Sequence, residues 1–397
     1  MTMPSAQSAP ESIELTVVMP CLNEALTLET CIRKAQAFLA SSGVRGEIVI
    51  GDNGSTDGSR EIACRLGARV VDVPVRGYGA ALYDASLAAR GRFVIMGDSD
   101  DSYDFSNLMP FVEKLREGFD LVMGNRFAGG IGAGAMPWKN RLIGNPVLSG
   151  IGRLFFRTAA CDLHCGLRGY SLEAFKRMDL RTTGMEFASE MVIKATLLGL
   201  RVTEVPTTLS PDGRDRPPHL RPWRDGWRHL RFMLLYSPRW LFLYPGLLLV
   251  LAGLIMGAFL LGGPVQVGRA YLDVHSLFFA GIAVLVGYQA ILFATFSRIY
   301  AANMGLIPQH RILDRLFDYL TLEVGLIGGA VLLAVGLAGS MYSVILWDQR
   351  SFGAMDPRQL LRLVIPSGVC LALGFQTVLS SFFLSVLGLG LSGRRNG

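Results

Sequence analysis

Residues 97–104 read Gly97-Asp98-Ser99-Asp100-Asp101-Ser102-Tyr103-Asp104 and follow an apolar run, 92–96, that is typical of a buried strand. Four carboxylates therefore crowd into seven residues at the end of one strand. Carboxylates this close repel one another, so the cluster favours a bound cation, and oxygen ligands without nearby histidine or cysteine favour Mg²⁺ or Mn²⁺ over Zn²⁺. The alternative is an acidic turn in which Asp101 or Asp104 caps the following helix.

Short apolar runs alternate with segments of helical periodicity on both sides of this loop. The predicted strands are 15–19, 48–50, 69–73, 92–96 and 121–123, and the predicted helices between them are 28–39, 58–66, 79–89 and 105–117. Further on we expect a glycine-rich loop over 128–137, helices over 142–156 and 185–200, and strands over 165–171 and 202–209. This alternation predicts an α/β fold with a mostly parallel sheet, whose ligands bind beyond the carboxyl ends of the strands.

The second half of the chain is much more apolar than the first. Hydrophobic residues make up 51% of the 397 residues, and the mean hydropathy is +0.38. Four stretches carry no charged residue: 240–261, 276–297, 324–347 and 363–391. Each has about 20 residues or more, enough at about 1.5 Å per residue to cross about 30 Å of hydrocarbon. We therefore expect an all-α membrane domain of four transmembrane helices.

These patterns divide the chain into segments. They are a flexible N-terminus, 1–12; an α/β domain, 13–213; a basic amphipathic segment, 214–239; the membrane domain, 240–391; and a cytosolic tail, 392–397. The polar N-terminus is not a signal peptide, so we place the first domain in the cytosol of a multi-pass protein of the bacterial inner or cell membrane. The distribution of arginines agrees weakly with this topology, because Arg350, Arg358 and Arg362 fall on the outer side.

The segment between the two domains combines arginines with tryptophans. Trp223, Trp227 and Leu230 fall on one face of a helix, and Arg224, Arg228 and Arg231 fall on another. This is typical of a helix that lies in the lipid headgroup layer, with a solvated connector as the alternative. The net charge of +6 fits anionic lipid or phosphate ligands, and no nucleic-acid motif accompanies it. The six cysteines show no paired spacing, so we interpret them as free thiols.

Polar loops follow three of the predicted strands. They contain Pro20, Asn23 and Glu24; Asp52 and Ser55; and Asp98 and Asp100. Carboxylates beyond a parallel sheet suit the ribose and base of a nucleotide, and the third loop suits a metal on its diphosphate. Any one of these loops is weak evidence, because Asn, Asp and Gly are ordinary turn residues.

Taken together, in this order and spacing, the loops resemble glycosyltransferase family 2, whose members have the GT-A fold. The resemblance covers about residues 13–215. Residues 124–127, Arg141, 165–168 and Glu186 with Glu190 further resemble the polyprenyl-phosphate branch, which includes dolichol-phosphate mannose synthase and undecaprenyl-phosphate glucosyltransferases. Ser102 departs from the family, in which this position often carries a glutamine that contacts the metal.

The resemblance implies a role for each matched residue. Pro20, Asn23, Glu24, Asp52, Ser55 and Asp98 would bind the donor, and Asp98 with Asp100 would hold Mg²⁺ or Mn²⁺. The catalytic set would be Asp100, Arg126, Arg141, Arg168 and Glu190, with the three arginines on the acceptor-phosphate side. Arg214 and Arg216 stand where the family has a basic motif, and they would serve the acceptor.

The function implied is an inverting, metal-dependent transfer of a hexose, glucose or mannose, from UDP- or GDP-hexose to a polyprenyl phosphate at the cytosolic face of the membrane. The ionised acceptor needs positioning by arginines more than it needs a base. A processive polysaccharide synthase is the first alternative, although the Gln-x-x-Arg-Trp motif of that class is incomplete at 236–240. A non-enzymatic lipid-binding or transport protein is the second, and a homo-oligomer is left open.

Overall fold

The computed structural model describes residues 13–215, 222–303 and 322–392. They form two compact units that divide between Met233 and Leu234, inside the segment that we assigned to the membrane surface. The predicted N-terminal segment 1–12 and the tail after Ser392 lie outside the described residues. Each unit is described below by itself.

The first unit begins with the alternation of strands and helices that the sequence predicts. Its elements are β1 (Leu15–Cys21), α1 (Leu28–Ser42), β2 (Gly46–Asp52), α2 (Ser59–Arg65), β3 (Arg69–Asp72), α3 (Tyr78–Leu87), β4 (Phe93–Met96), α4 (Met109–Arg116), β5 (Leu121–Asn125) and α5 (Arg126–Gly129). After a π-helical turn (Asn140–Gly144) come α6 (Asn145–Phe156), β6 (Arg168–Ser171), α7 (Leu172–Met178), α8 (Phe187–Leu197), β7 (Val202–Pro206) and α9 (Pro222–Leu235).

Two of the predicted boundaries are wrong for identifiable reasons. The helix expected from residue 105 begins at Met109, because Asp104 accepts hydrogen bonds from the amide and hydroxyl of Ser106 and holds a turn there. Pro110 then falls in the first turn, where a missing N–H is tolerated. The strand expected over 165–171 is confined to Arg168–Ser171, and the short helix α7, which was not predicted, follows it directly.

The seven strands form one sheet in the order β3-β2-β1-β4-β6-β5-β7. Every neighbouring pair is parallel except those made by β6, which runs antiparallel to β4 and β5. The prediction of a mostly parallel sheet is therefore confirmed. Cys21 pairs with Asp52, so the loops after β1 and β2 leave the same edge of the sheet. Met96 at the end of β4 lies opposite Arg168, which brings the start of β6 to that edge as well.

Both faces of the sheet are covered. Leu28 and Ile32 of α1 pack with Phe111 and Leu115 of α4 on one side. Leu82 and Ala85 of α3 pack with Phe175 of α7 and with Phe187 and Met191 of α8 on the other side. At Gly51 the backbone of α3 approaches β2 so closely that an added Cβ would lie 2.3 Å from the carbonyl oxygen of Ala81. These contacts fix the strand ends from which the functional loops emerge.

The second unit is built from long apolar helices. A π-helical turn (Arg239–Leu243) leads into α10 (Tyr244–Leu261), and a small hairpin of β8 (Val265–Val267) and β9 (Ala270–Leu272) precedes α11 (Val274–Asn303), α12 (Leu322–Asp348) and α13 (Pro357–Ser392). Four segments are long and apolar enough to cross a membrane: Arg239–Leu261, Val274–Asn303, Leu322–Asp348 and Pro357–Leu387. The prediction of four long apolar helices in the second half of the chain is thus confirmed.

Small residues bring these helices together. A Cβ on Gly246 of α10 would lie 2.8 Å from the carbonyl oxygen of Gly287 of α11. A Cβ on Gly287 would lie 2.6 Å from the carbonyl oxygen of Gly246. Such contacts allow close helix packing in lipid, where burial of apolar area gives little driving force. Arg362 and Arg358, two of the arginines that weaken the charge asymmetry, pair with Asp273 at 2.6 and 3.4 Å. Their charge is partly neutralised by this carboxylate.

Candidate active site

The loops after β1 and β2 are tied to each other by short polar contacts. The amide of Asn23 donates to Ser55 Oγ at 2.9 Å, and the amide of Thr56 donates to Asn23 Oδ1 at 2.8 Å. Buried Asp52 accepts from the amides of Gly54 and Ser55 at 3.1 and 3.2 Å. Four residues of the predicted donor set therefore lie on one edge of the sheet: Pro20 near the end of β1, Asn23, Asp52 and Ser55.

The loop after β4 joins the same cluster. Ser99 donates its hydroxyl to the carbonyl of Pro20 at 2.6 Å, and Thr27 donates its hydroxyl to the carbonyl of Ser99 at 2.7 Å. Asp100 Oδ1 accepts from the amide of Ser102 at 3.1 Å and from its hydroxyl at 2.6 Å. Ser102 therefore orients the Asp100 carboxylate.

Arg214 connects the donor loop with the carboxylate loop. Its Nε donates to Glu24 Oε2 at 2.9 Å, its Nη2 lies 2.8 Å from Glu24 Oε1, and its Nη1 lies 3.3 Å from Asp100 Oδ2. The amide of Gly213 donates to the carbonyl of Asp100 at 2.9 Å and holds this segment in place. The sequence assigned Arg214 to the acceptor, whereas the structure places it between two residues of the donor and metal sets. Arg216 lies outside the described residues.

Asp98 lies in a poorly solvated position beside Asp100. Burial first, and the charge of Asp100 second, raise the pKa of the Asp98 carboxyl to about 6, while a hydrogen bond with Tyr78 opposes this shift. A Cβ added to Gly166 would lie only 2.5 Å from Asp98 Oδ2, so this carboxylate packs closely against the backbone of Gly166. The charges of Arg214 and Arg126 offset this pKa shift only in part, and a divalent cation would supply further compensating charge.

The donor set fits Mg²⁺ or Mn²⁺. Asp98 and Asp100 offer carboxylate oxygens, the ligands that these hard cations prefer. Within the described residues no group of three or more His, Cys, Asp or Glu side chains could hold a metal, so protein ligands alone do not complete a coordination shell. Diphosphate oxygens and water are the usual remaining ligands of Mg²⁺ in nucleotide sites.

Two of the three arginines that we predicted to serve the acceptor donate hydrogen bonds to groups inside the protein. Arg126 pairs with fully buried Asp162 through Nε at 2.7 Å and Nη2 at 2.8 Å. Arg168 is 0% exposed and donates to the carbonyl oxygens of Cys165, Leu163 and Ala188. Burial lowers the pKa of Arg168. Both side chains therefore hold the 162–168 segment in place.

Arg141 differs from them because it is exposed. It lies in the π-helical turn before α6, next to the exposed side chains of Trp138, Leu142 and Ile143. Lys139 lies 5.7 Å from the centre of the Trp138 ring. The structure thus separates the three arginines into two buried side chains and one exposed basic side chain on an apolar surface.

Glu190 is buried and acts through a loop. It pairs with Lys194 at 2.9 Å and accepts from the amides of Arg181 and Thr182 at 3.1 and 2.8 Å. The next carbonyl, that of Thr183, accepts from the amide of Ala80 at the start of α3. Glu190, which we predicted to be catalytic, therefore holds the loop that contacts the start of α3, where Tyr78 lies.

Sequence reasoning assigned no role to Tyr78, Tyr103 or Asp162, and it included Gly166 only within the matched run 165–168. Tyr103 accepts from the amide of Gly166 at 2.8 Å, and Tyr78 contacts Asp98. The signal for the two tyrosines was their position, one between two glycines before a helix and one inside the acidic loop. Asp162 had no such signal, because its partner Arg126 is 36 residues away.

We expect Gly166→Ala to impair activity without unfolding the protein. The new methyl group would meet Asp98 Oδ2 at 2.5 Å and the Tyr103 ring at 3.0 Å, so the carboxylate must move. A displacement of this size at a reacting centre lowers turnover by about 10²-fold. Steady-state kinetics at saturating metal measure the effect, and Gly150→Ala, which meets nothing within 4 Å, is the control. Equal activity of the two variants would contradict this role for Gly166.

Comparisons with known proteins agree with this arrangement. Glycosyl transferase family 2 matches residues 16–179, and the glycosyltransferase family 2 C-terminal transmembrane region matches residues 295–388. The low-salt glycan biosynthesis hexosyltransferase Agl6 of Haloferax volcanii is 36% identical over 379 residues, which are 94% of this chain and 89% of that protein. This chain belongs to glycosyltransferase family 2. The resemblance, the GT-A fold class and the membrane-helical second half that we expected from the sequence are confirmed.

Two further relatives of this family 2 glycosyltransferase are more distant. The dolichyl-phosphate hexose transferase of Haloferax volcanii is 32% identical over 49% of this chain and 81% of its own length. Glucosyl-3-phosphoglycerate synthase from Mycobacterium tuberculosis, solved with Mn²⁺, UDP-glucose and phosphoglyceric acid, is 24% identical with a TM-score of 0.45, over 56% of this chain and 79% of that one. The second likeness is too remote to assign a ligand.

Proposed function

We propose that this glycosyltransferase moves a hexose, glucose or mannose, from UDP- or GDP-hexose to a polyprenyl phosphate at the cytosolic face of the membrane, with inversion and with Mg²⁺ or Mn²⁺. The observation that carries the proposal is the cluster of Glu24, Asp98, Asp100 and Arg214 at one sheet edge of a chain that also has four membrane-length helices. A hexosyltransferase that matches almost the whole chain, and a dolichyl-phosphate hexose transferase, support the sugar and the lipid.

Donor binding would use the tied loops after β1 and β2. Asn23, Asp52 and Ser55 shape the edge on which the nucleoside lies, and Glu24 stands at its inner end. Asp98 and Asp100 would hold the metal, which supplies Lewis-acid stabilisation of the diphosphate leaving group. Arg214, already beside Asp100, is placed to take up negative charge on the same leaving group.

Acceptor binding would use the exposed basic surface before α6. Trp138, Leu142, Ile143, Val147 and Leu154 are all more than half exposed, and Lys139 and Arg141 lie among them. Apolar side chains with basic neighbours suit an anionic bilayer surface, where each basic residue adds about 1 kcal/mol of attraction. Arg141 is thus the arginine that we assign to the lipid phosphate, while Arg126 and Arg168 position the loop behind it.

Helix α9 presents a second such surface. His229, Phe232 and Met233 are buried, and His229 Nδ1 lies 2.8 Å from Ser189 Oγ of α8. Trp227 and Arg231 are exposed. The side chain of Trp223, which we expected beside Trp227, lies outside the described residues. The buried face of α9 is anchored on the first unit, and its exposed face would lie on the cytosolic leaflet.

We expect the purified full-length protein in anionic vesicles to form a chloroform-soluble labelled lipid from polyprenyl phosphate and a labelled UDP- or GDP-hexose. EDTA should abolish the product, and Mn²⁺ or Mg²⁺ should restore it, because the paired carboxylates need the cation to hold the diphosphate. An insoluble polymer would indicate a processive synthase. Absence of any transfer with every donor would indicate a binding or transport protein and would contradict the proposal.

A further inference from the structure

Two arginines of the second unit act electrostatically on each other, and neither pairs with a carboxylate among the described residues. Arg298, near the end of α11, is half-buried, and its Nε is buried without a hydrogen-bond partner in the described part of the chain. The charged neighbour that acts on Arg298 is another cation, Arg239, in the turn before α10. Among the described ion pairs neither arginine has an acidic partner, and Asp273 is already paired with Arg362 and Arg358.

Within the described residues no anion accompanies the two arginines, and an added anion would stabilise them. Like charges repel more strongly where water is partly excluded, and a buried guanidinium donor without an acceptor loses its hydration without compensation. Ionisable residues within membrane segments are rare and mark functional sites by default. A phosphate would satisfy both arginines, because the planar guanidinium fork matches its oxygens.

An apolar groove lies on the same helices. It has a volume of about 420 Å³ and is lined by Phe242, Leu285, Val286, Gln289, Ala290, Phe293 and Gln376. The rings of Phe242 and Phe293 are 6.1 Å apart. Arg239 is three residues before Phe242, and Arg298 is five residues after Phe293, so both arginines lie about 4–8 Å along the helices from this ring pair. They lie beyond the same end of the groove.

We propose that Arg239 and Arg298 bind the phosphate of a polyprenyl phosphate whose chain occupies this groove. Two cations match a phosphate monoester, which carries about −1.5 to −2 charges at neutral pH, better than the single charge of a phospholipid diester. One groove also suits one chain better than two. The identity of the lipid rests on the proposed function, whereas the charge pair and the groove do not.

The site would keep the acceptor lipid bound to the membrane unit and so raise the concentration of lipid available to the active site. It is separate from Arg141, which belongs to the first unit. Loss of the site should therefore raise the KM for the lipid and leave kcat and donor binding unchanged.

The test is photo-crosslinking of the full-length protein, in neutral-lipid nanodiscs, to polyprenyl phosphate with a diazirine in its chain. We expect Arg298→Gln to lower labelling about tenfold, the loss expected for one charge-assisted hydrogen bond. Val286→Trp, which fills the groove at an exposed position, should lower it as well. Arg350→Gln, an exposed arginine after α12, is the matched control and should label like the parent protein. Equal labelling of the Arg298→Gln protein and the parent would overturn the site.

Competition identifies the ligand. Unlabelled polyprenyl phosphate should displace the probe, and polyprenol, phosphatidylglycerol and inorganic phosphate should not. Displacement by phosphatidylglycerol at equal concentration would overturn the monoester assignment, and displacement by polyprenol would overturn the role of the arginines. Failure of the proposed function can be distinguished from failure of this site. Labelling that depends on the arginines, in a protein that transfers no sugar, would support the site and contradict the proposed reaction.

Discussion

Asp100→Asn should lower turnover by about 10³-fold or more and leave the fold unchanged. The asparagine oxygen can still accept from the amide and hydroxyl of Ser102, so the loop keeps its turn. What disappears is the charge that faces Arg214 and that would face the metal. Losing about 4 kcal/mol of charge stabilisation in the transition state corresponds to this factor. Initial rates at saturating Mn²⁺ and donor give the comparison.

The chain provides a matched control in Asp104→Asn. Asp104 accepts from the amide of Ser106 at 2.9 Å and from its hydroxyl at 2.6 Å, the same contacts that Asp100 makes with Ser102. It is exposed, and the structure records no contact between it and Arg214. We expect the Asp104 variant to keep near-normal activity. Comparable losses in both variants would show that the turn, and not the charge of Asp100, is what matters.

The convergence of the three polar loops could be predicted from the sequence because it follows from the sheet. Parallel strands deliver their carboxyl ends to one edge, so Asn23, Asp52 and Asp98 had to converge once the strands were recognised. The apolar helices were equally accessible, since length and absence of charge suffice to identify them. Both inferences depend on local patterns.

Residues whose partners are distant in sequence could not be placed in this way. Arg214 reaches Glu24 across 190 residues, and Arg126 reaches Asp162 across 36. A motif identifies the residue type, but solvent exposure of a guanidinium depends on what packs around it. Arg168 is fully buried and donates to three carbonyl oxygens, whereas Arg141 is exposed. The sequence alone could not distinguish these two environments.

Asp162→Ala should destabilise the protein by about 3–5 kcal/mol, because it leaves the charge of Arg126 buried and unpaired. The substitution also removes the acceptor of the Arg126 amide, 3.2 Å from Asp162 Oδ2. Denaturant-induced unfolding of the full-length protein in detergent measures the loss. Glu117→Gln, which breaks the exposed pair with Lys114, is the control, and we expect a change below about 1 kcal/mol.

The double variant Arg126→Met with Asp162→Asn separates positioning from phosphate binding. Methionine removes the buried charge while filling much of its space, and the asparagine oxygen can still accept from the amide of residue 126. Replacing a buried ion pair by groups without charge is often neutral, so most of the lost stability should return. Because Nε and Nη2 of Arg126 already donate to Asp162, we expect lipid transfer to return with the fold. A stable double variant with a raised KM for polyprenyl phosphate would instead show that Arg126 leaves Asp162 to bind the acceptor.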